Sequence, residues 1–218
     1  MSTETQTAGR ADVLKASPQM FESRLLDKLS RVHPAVVPLV YVPAIVVFSV
    51  LALQRLSVLE WIAYAIGGYL FWTISEYAIH RFVFHFEPEK GIGARLHWII
   101  HGVHHDHPND PLRLVMPPSV SVPLSALFFG LFSLVLPLGG AFAVASGFFA
   151  GYLAYDMTHY YVHHRMPKSA LGRKLRELHM RHHFQDHTKG YGISAPWWDV
   201  VFRTYSQRRR RPVSGTSV

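Results

Sequence analysis

A chain of 218 residues would ordinarily make one soluble domain, but Lys, Arg, Asp and Glu supply only 17% of it and are missing from two long stretches. That distribution excludes a soluble domain, and composition likewise excludes disordered, collagen-like and disulfide-stapled classes. With no cysteine, thiolate zinc sites, iron–sulfur clusters and redox dithiols are excluded too, while histidine is abundant at 15 residues.

Residues 1–10 are polar and lack the basic start and apolar core of a cleavable signal peptide. Ser17 followed by Pro18 is a helix-start signal, and Phe21, Leu25, Leu29 and Val32 repeat at helical spacing, so an amphipathic helix on the membrane surface is expected. Residues 34–53 carry no charge, and residues 114–155 carry neither charge nor histidine over 42 positions. A helix rises about 1.5 Å per residue through about 30 Å of hydrocarbon, so the first stretch spans once and the second can span twice. Spans are predicted over 34–53, with Pro38 and Pro43 bending it, over 61–79, over 118–136 and over 141–160. Pro137-Leu-Gly-Gly140 is read as the break between the last two. The expected architecture is all-α: four transmembrane helices with a helical cap at one end. Residues 1–33 form a cytosolic N-terminal segment, 34–205 the membrane domain and 206–218 a basic tail.

Lys and Arg number five before the first span, four in the 80–113 segment and twelve after the last span, against one, Arg55, in the opposite turns. Positive residues stay on the cytoplasmic side, so both termini and the middle segment are expected there. The location would be the inner membrane in a bacterium or the endoplasmic reticulum in a eukaryote. Arg208 to Arg211 have no nucleic-acid-binding pattern around them, so the basic charge is read as attraction to anionic lipid, with no nucleic acid as partner.

Fourteen histidines lie at or after residue 80, all on the side assigned as cytoplasmic, and eleven of them fall in four clusters. These are His80-Arg-Phe-Val-Phe-His85, His101-Gly-Val-His104-His105, His159-Tyr-Tyr-Val-His163-His164 and His179-Met-Arg-His182-His183. Positions i, i+3 and i+4 share a helix face, so each of the last three directs two or three imidazoles toward one point. His80 and His85 are separated by five residues, about 140° on a regular helix, so the helix should end or distort between them. The metal ligands expected are His80, His85, His101, His104, His105, His159, His163, His179, His182 and His183. Ten imidazoles exceed what one ion takes, so two metal ions are implied, and by geometry alone either zinc or iron fits. His97 and His164 are read as supporting rather than ligating, and His33, His107 and His187 as exposed or capping. Glu76 lies one turn before His80 and Asp156 three residues before His159, placing both carboxylates to accept an N–H from a ligand ring, with pairing to Arg81 or another cation as the competing role.

The words around the clusters carry a resemblance. Glu76-Tyr-Ala-Ile-His-Arg-Phe-Val-Phe-His85, Leu96-His-Trp-Ile-Ile-His-Gly-Val-His-His105, Arg113-Leu-Val-Met-Pro-Pro118, Tyr155-Asp156 before the third cluster, Gly192-Ile-Ser194 and Trp198-Asp199 together resemble the fatty acid 2-hydroxylase branch of the membrane-bound fatty acid hydroxylase and sterol desaturase superfamily. The resemblance covers about Glu76 to Tyr205. It implies a four-span membrane protein with a cytosolic cap, a dimetal centre and O2-dependent hydroxylation of a fatty acyl chain at C2. It also points to Tyr155 as a residue that positions substrate or oxygen. A sterol or carotenoid substrate is the alternative within the superfamily. Larger members carry a cytochrome b5 domain, for which the 33 residues before the first span are too few, so a separate donor of the cytochrome b5, ferredoxin or flavin reductase kind is expected. Breaking an unactivated C–H bond needs a redox metal and O2, which favours two iron ions, with zinc able to occupy the same ligands in purified protein. A transporter would place polar ligands near the bilayer midplane, where residues 114–155 offer none.

Overall fold

The computed structural model describes residues 9–207, which fold into ten α-helices and two π-helical turns and contain no strand. The polar start and the basic tail from 208 onward lie outside the described residues. Three helices are long and apolar enough to cross a membrane: α3 (Val36–Leu53), α7 (Pro118–Val135) and α8 (Leu138–His164). The fourth long helix, α4 (Val58–Ile79), has 22 residues but is diluted by glycine, serine, tyrosine and two glutamates. It begins three residues earlier than its apolar pattern predicts, because Ser57 and Glu60 form a capping box: the Ser57 amide and hydroxyl donate to Glu60 Oε2 at 2.8 and 2.7 Å.

α8 is the axis of the bundle, with α3 and α4 packed along it. Glycine makes this possible. A Cβ on Gly147 would lie 1.8 Å from the Ala65 carbonyl oxygen, and one on Gly68 would lie 2.0 Å from that of Val144, so the α4 and α8 backbones touch. Gly139 and Gly140, expected to break the chain, instead sit in the first turn of α8. There they admit Arg55, Leu56 and Tyr64 at distances a side chain would obstruct. The reversal needs only Leu136 and Pro137. Around α8 the core is largely aromatic, with Tyr41, Phe48, Trp72, Phe128, Phe148 and Phe149 meeting edge-on or tilted.

Twenty-seven residues make α8 about 40 Å long, more than the hydrocarbon layer requires, and its surplus turns carry His159 and His163 beyond the apolar zone. The cap gathers at that end. It contains α5 (Gly91–His97), α6 (Val103–Asp106), α9 (Ala170–Phe184) and α10 (Trp197–Val201).

The surface helix expected from Ser17 onward is shorter and broken. α1 (Arg10–Lys15) and α2 (Arg24–Leu29) flank an extended stretch, and α2 starts at a Ser23 cap. Asp27 accepts the Met20 amide at 2.8 Å and Arg31 donates to the Ser17 carbonyl at 3.1 Å, folding residues 17–22 back on α2 instead of extending it. Leu25, Leu26 and Leu29 remain at least half exposed.

Candidate metal centre

All ten expected histidines converge, on two adjoining points. His80, His85, His101, His105 and His182 form one cluster, and His104, His159, His163, His179 and His183 the other, with the ligand atoms of each group within 4.8 Å of one another. The spacing explains the division. Residues four apart stay together, as in His101 with His105, His159 with His163 and His179 with His183. Adjacent residues point about 100° apart, so His104 separates from His105 and His182 from His183. The clusters adjoin: the rings of His105 and His183 stack with centroids 4.3 Å apart.

The distortion expected between His80 and His85 is a π-helical turn over His80–Phe84, closed by the His85 amide donating to the His80 carbonyl at 3.2 Å. A second π-helical turn, Trp98–Gly102, carries His101 and had no separate signal in the spacing.

His80 Nδ1 donates to the Tyr191 carbonyl at 2.6 Å and His182 Nδ1 to the Lys189 carbonyl at 2.8 Å, while His85 Nδ1 faces Glu87 Oε1 at 3.3 Å. A ring protonated at Nδ1 has only a lone pair at Nε2. Yet the Nε2 atoms of His85 and His182 face each other at 3.0 Å, and those of His80 and His101 at 3.2 Å. Between His85 and His182, whose Nδ1 atoms both face acceptors, the two lone pairs repel unless a cation lies between them, so these residues fit a bound metal ion. In the second cluster His163 and His179 meet through Nε2 at 2.7 Å and His104 and His183 at 3.0 Å. Burial holds His104 and His182 down to about 3 and His85 to about 4, which keeps these rings neutral and available as donors. Seven of the ten histidines are buried.

The remaining histidines stay outside both clusters. His97 and His187 approach Glu87 at 4.0 and 3.8 Å, His164 packs on Tyr160, His33 accepts the Ala35 amide, and His107 donates to the Val13 carbonyl at 2.6 Å.

Neither carboxylate plays the part its spacing suggested. Glu76 accepts the Ile193 and Ser194 amides at 2.8 Å each and the Ser194 hydroxyl; among the described residues it makes no hydrogen bond to a histidine ring and no ion pair. Asp156 accepts the Tyr152 hydroxyl at 3.0 Å instead of an N–H from His159. Spacing along one helix specifies a face, but not which distant segment arrives to meet it. Asp199, not singled out from the sequence, accepts the Tyr191 and Gly192 amides at 2.9 Å each, and the only signal for it was the Trp198-Asp199 pair within the resemblance.

A cavity of about 300 Å³ leads to the clusters. It is lined by the apolar side chains of Met20, Phe21, Leu26, Leu29, Ile99, Ile100, Leu114, Val115 and Val120, and by His101, His104 and His159 with Tyr155 and Asp156.

Residues 65–204 match the family model described as fatty acid hydroxylase. The chain belongs to the fatty acid hydroxylase family. A dihydroceramide fatty acyl 2-hydroxylase of Arabidopsis thaliana is 37% identical over 188 residues, covering 86% of this chain and 79% of that protein. A ceramide very long chain fatty acid hydroxylase of Saccharomyces cerevisiae is 37% identical over 195 residues, covering 88% of this chain and 50% of the yeast protein. A fatty acid 2-hydroxylase of Mus musculus is 32% identical over 216 residues, covering 89% and 58%. The solved structure of full-length scs7p, in which only the hydroxylase domain is visible, aligns with a TM-score of 0.81 at 37% identity over 84% of this chain and 70% of that one. As a family member the chain is an enzyme of the monooxygenase type, with histidine clusters that fit metal binding and with candidate transmembrane helices.

Proposed function

We propose that the chain hydroxylates a fatty acyl chain at C2, using O2 and two metal ions held by the ten histidines, iron in the active enzyme. The observation that carries this reading is the apolar cavity ending on ligands of both clusters, His101 of one and His104 and His159 of the other. The names of the relatives, which are 2-hydroxylases of fatty acyl groups, support the position.

Two redox-active ions would supply the electrons and the activation of O2 that breaking a C–H bond requires. The chain's own residues do the rest. Met20, Phe21, Leu26 and Leu29 with Val115 and Val120 hold the acyl tail and exclude water, fixing one carbon near the histidines and lowering the entropic part of the barrier. We assign Tyr155 and Asp156, which line the cavity together with His159, to the polar end of the substrate. Carbon next to a carboxyl group held there is the carbon that meets the centre.

We place α4 as a fourth span with α3, α7 and α8, since it is 22 residues long and exposes Leu59, Ile62, Ile66 and Leu70 as α3 exposes its own aliphatic side chains. The cap and both ends of the bundle's chain then face the cytoplasm, as the lysine and arginine distribution favours. Electrons come from a separate donor of the cytochrome b5, ferredoxin or flavin reductase kind.

Lipid extracts from cells that make no 2-hydroxy acyl chains, with and without this protein, test the reading by mass spectrometry. The expected result is new 2-hydroxy fatty acyl species. A hydroxylated sterol or carotenoid, with acyl chains unchanged, would replace the substrate.

A further inference from the structure

The two clusters have five histidines each but are supported differently. In the first, His80 and His182 donate from Nδ1 to the carbonyls of Tyr191 and Lys189, which lie two residues apart in the segment between α9 and α10. That segment has no helix or strand to fix it, and two carboxylates hold it instead. Asp199 accepts the Tyr191 and Gly192 amides and the Thr204 hydroxyl, at 2.9, 2.9 and 2.8 Å. Glu76 accepts the next two amides, of Ile193 and Ser194. Gly190 turns the segment at a φ of +80°, a conformation that disfavours a side chain, and its amide donates to the Thr204 carbonyl at 2.8 Å. Both carboxylates are 2% exposed, so the bonds they accept are not in competition with water. Glu76 also stands one turn before His80 on α4, so a single clamp ties the segment to the helix that presents the ligand.

In the second cluster, His163, His179 and His183 have no such peptide partner at Nδ1 among the described residues.

We propose that Glu76 and Asp199 are positioning residues for the first cluster alone, acting through the Lys189 and Tyr191 carbonyls that orient His182 and His80. The two metal sites then respond separately to their loss. The inference rests on the two-metal reading above. It does not require that the reaction be C2 hydroxylation, and its test reads metal binding rather than turnover.

The test is chelator competition for zinc(II) bound to the full chain in detergent, comparing the wild type with Asp199→Asn, Glu76→Ala and Glu76→Gln. Two equivalents are expected in the wild type. Asp199→Asn and Glu76→Ala should weaken one of them by about tenfold to a hundredfold, the range that follows loss of groups orienting a ligand, and leave the other unchanged. Glu76→Gln keeps a carbonyl oxygen for the Ile193 and Ser194 amides and should retain most of the affinity. The affected site is identified by combination. With the second cluster broken by His163→Ala, Asp199→Asn should weaken the one site left; with the first broken by His85→Ala, it should not. Ser194→Ala removes a single bond to Glu76 and serves as the milder variant should the others fail to fold, with a few-fold loss on the same equivalent. Equal weakening of both sites, or no change in either, in variants that stay helical and monodisperse overturns the proposal. A wild type with one equivalent overturns the two-metal reading, and the proposal with it.

Discussion

Asp27 and Arg113, 86 positions apart, form an ion-paired hydrogen bond of 2.7 Å that joins two walls of the cavity. Asp27 lies in α2, whose Leu26 and Leu29 line one side, and Arg113 precedes Leu114 and Val115 on another. Arg113 is buried, with a side chain only 3% exposed, so removing Asp27 leaves its charge only the more distant Asp110 carboxylate, at 4.0 Å. Asp27→Asn is expected to lower the thermal midpoint by roughly 2–4 °C, the equivalent of about 1 kcal/mol in a chain of this size. Scanning fluorimetry checks this.

The same pair predicts an acid dependence. The Met20 amide, with Arg113 and Arg31, holds the Asp27 carboxyl below its ordinary value of 3.8. A depressed folded-state value adds stability that is fully present above the unfolded value and is lost as pH falls through the folded one. The wild-type midpoint should therefore decline below about pH 4 by more than that of Asp27→Asn, a difference visible when the two melting curves are compared across pH.

Substitution within the cavity should alter chain-length preference. Leu29→Trp enlarges a wall residue at the α2 side, away from the histidines. It should raise KM for long acyl chains by about tenfold, the scale of 1.4 kcal/mol, while shorter chains are affected less and metal content stays at the wild-type level. An unchanged ratio of long to short products would separate α2 from substrate binding.

The helix contact makes a sharp prediction about glycine. Gly147→Ala puts a methyl against the Ala65 carbonyl, which is backbone and cannot move aside cheaply, whereas Gly67→Ala and Gly130→Ala meet nothing within 4 Å. The first should cost about 1–3 kcal/mol and reduce the folded yield, and the other two should express as the wild type does. Detergent-solubilised yield and melting point distinguish them.

The histidine set was legible because side chains gathered on one helix face leave a periodic mark: i, i+3 and i+4 spacing in four clusters identified ten histidines that the fold brings together. Its division into two groups was not, since that depends on where each helix axis points and on how the adjacent pairs His104-His105 and His182-His183 straddle two centres. The distortion between His80 and His85 followed from a five-residue interval that no regular helix accommodates on one face. By contrast, Glu76, Asp199 and Asp27 act on segments far from them in the chain, and local spacing holds no trace of such contacts. The glycines at 139 and 140 were misread for a related reason. Glycine marks both a turn and a close approach, and only the position of the α3–α4 turn decides which.

A metal centre fed by this cavity that inserts oxygen from O2 at C2 of an acyl chain leaves an isotopic record in the product. Membranes containing the protein, a reducing system and a saturated fatty acyl lipid, incubated under isotopically labelled oxygen gas, test it most directly by mass spectrometry of the released acids. One labelled hydroxyl per product at C2 is expected, abolished by His104→Ala or His182→Ala and retained in His33→Ala and His187→Ala. A hydroxyl that takes its oxygen from water, or product formed at the normal rate by both His104→Ala and His182→Ala, would contradict it.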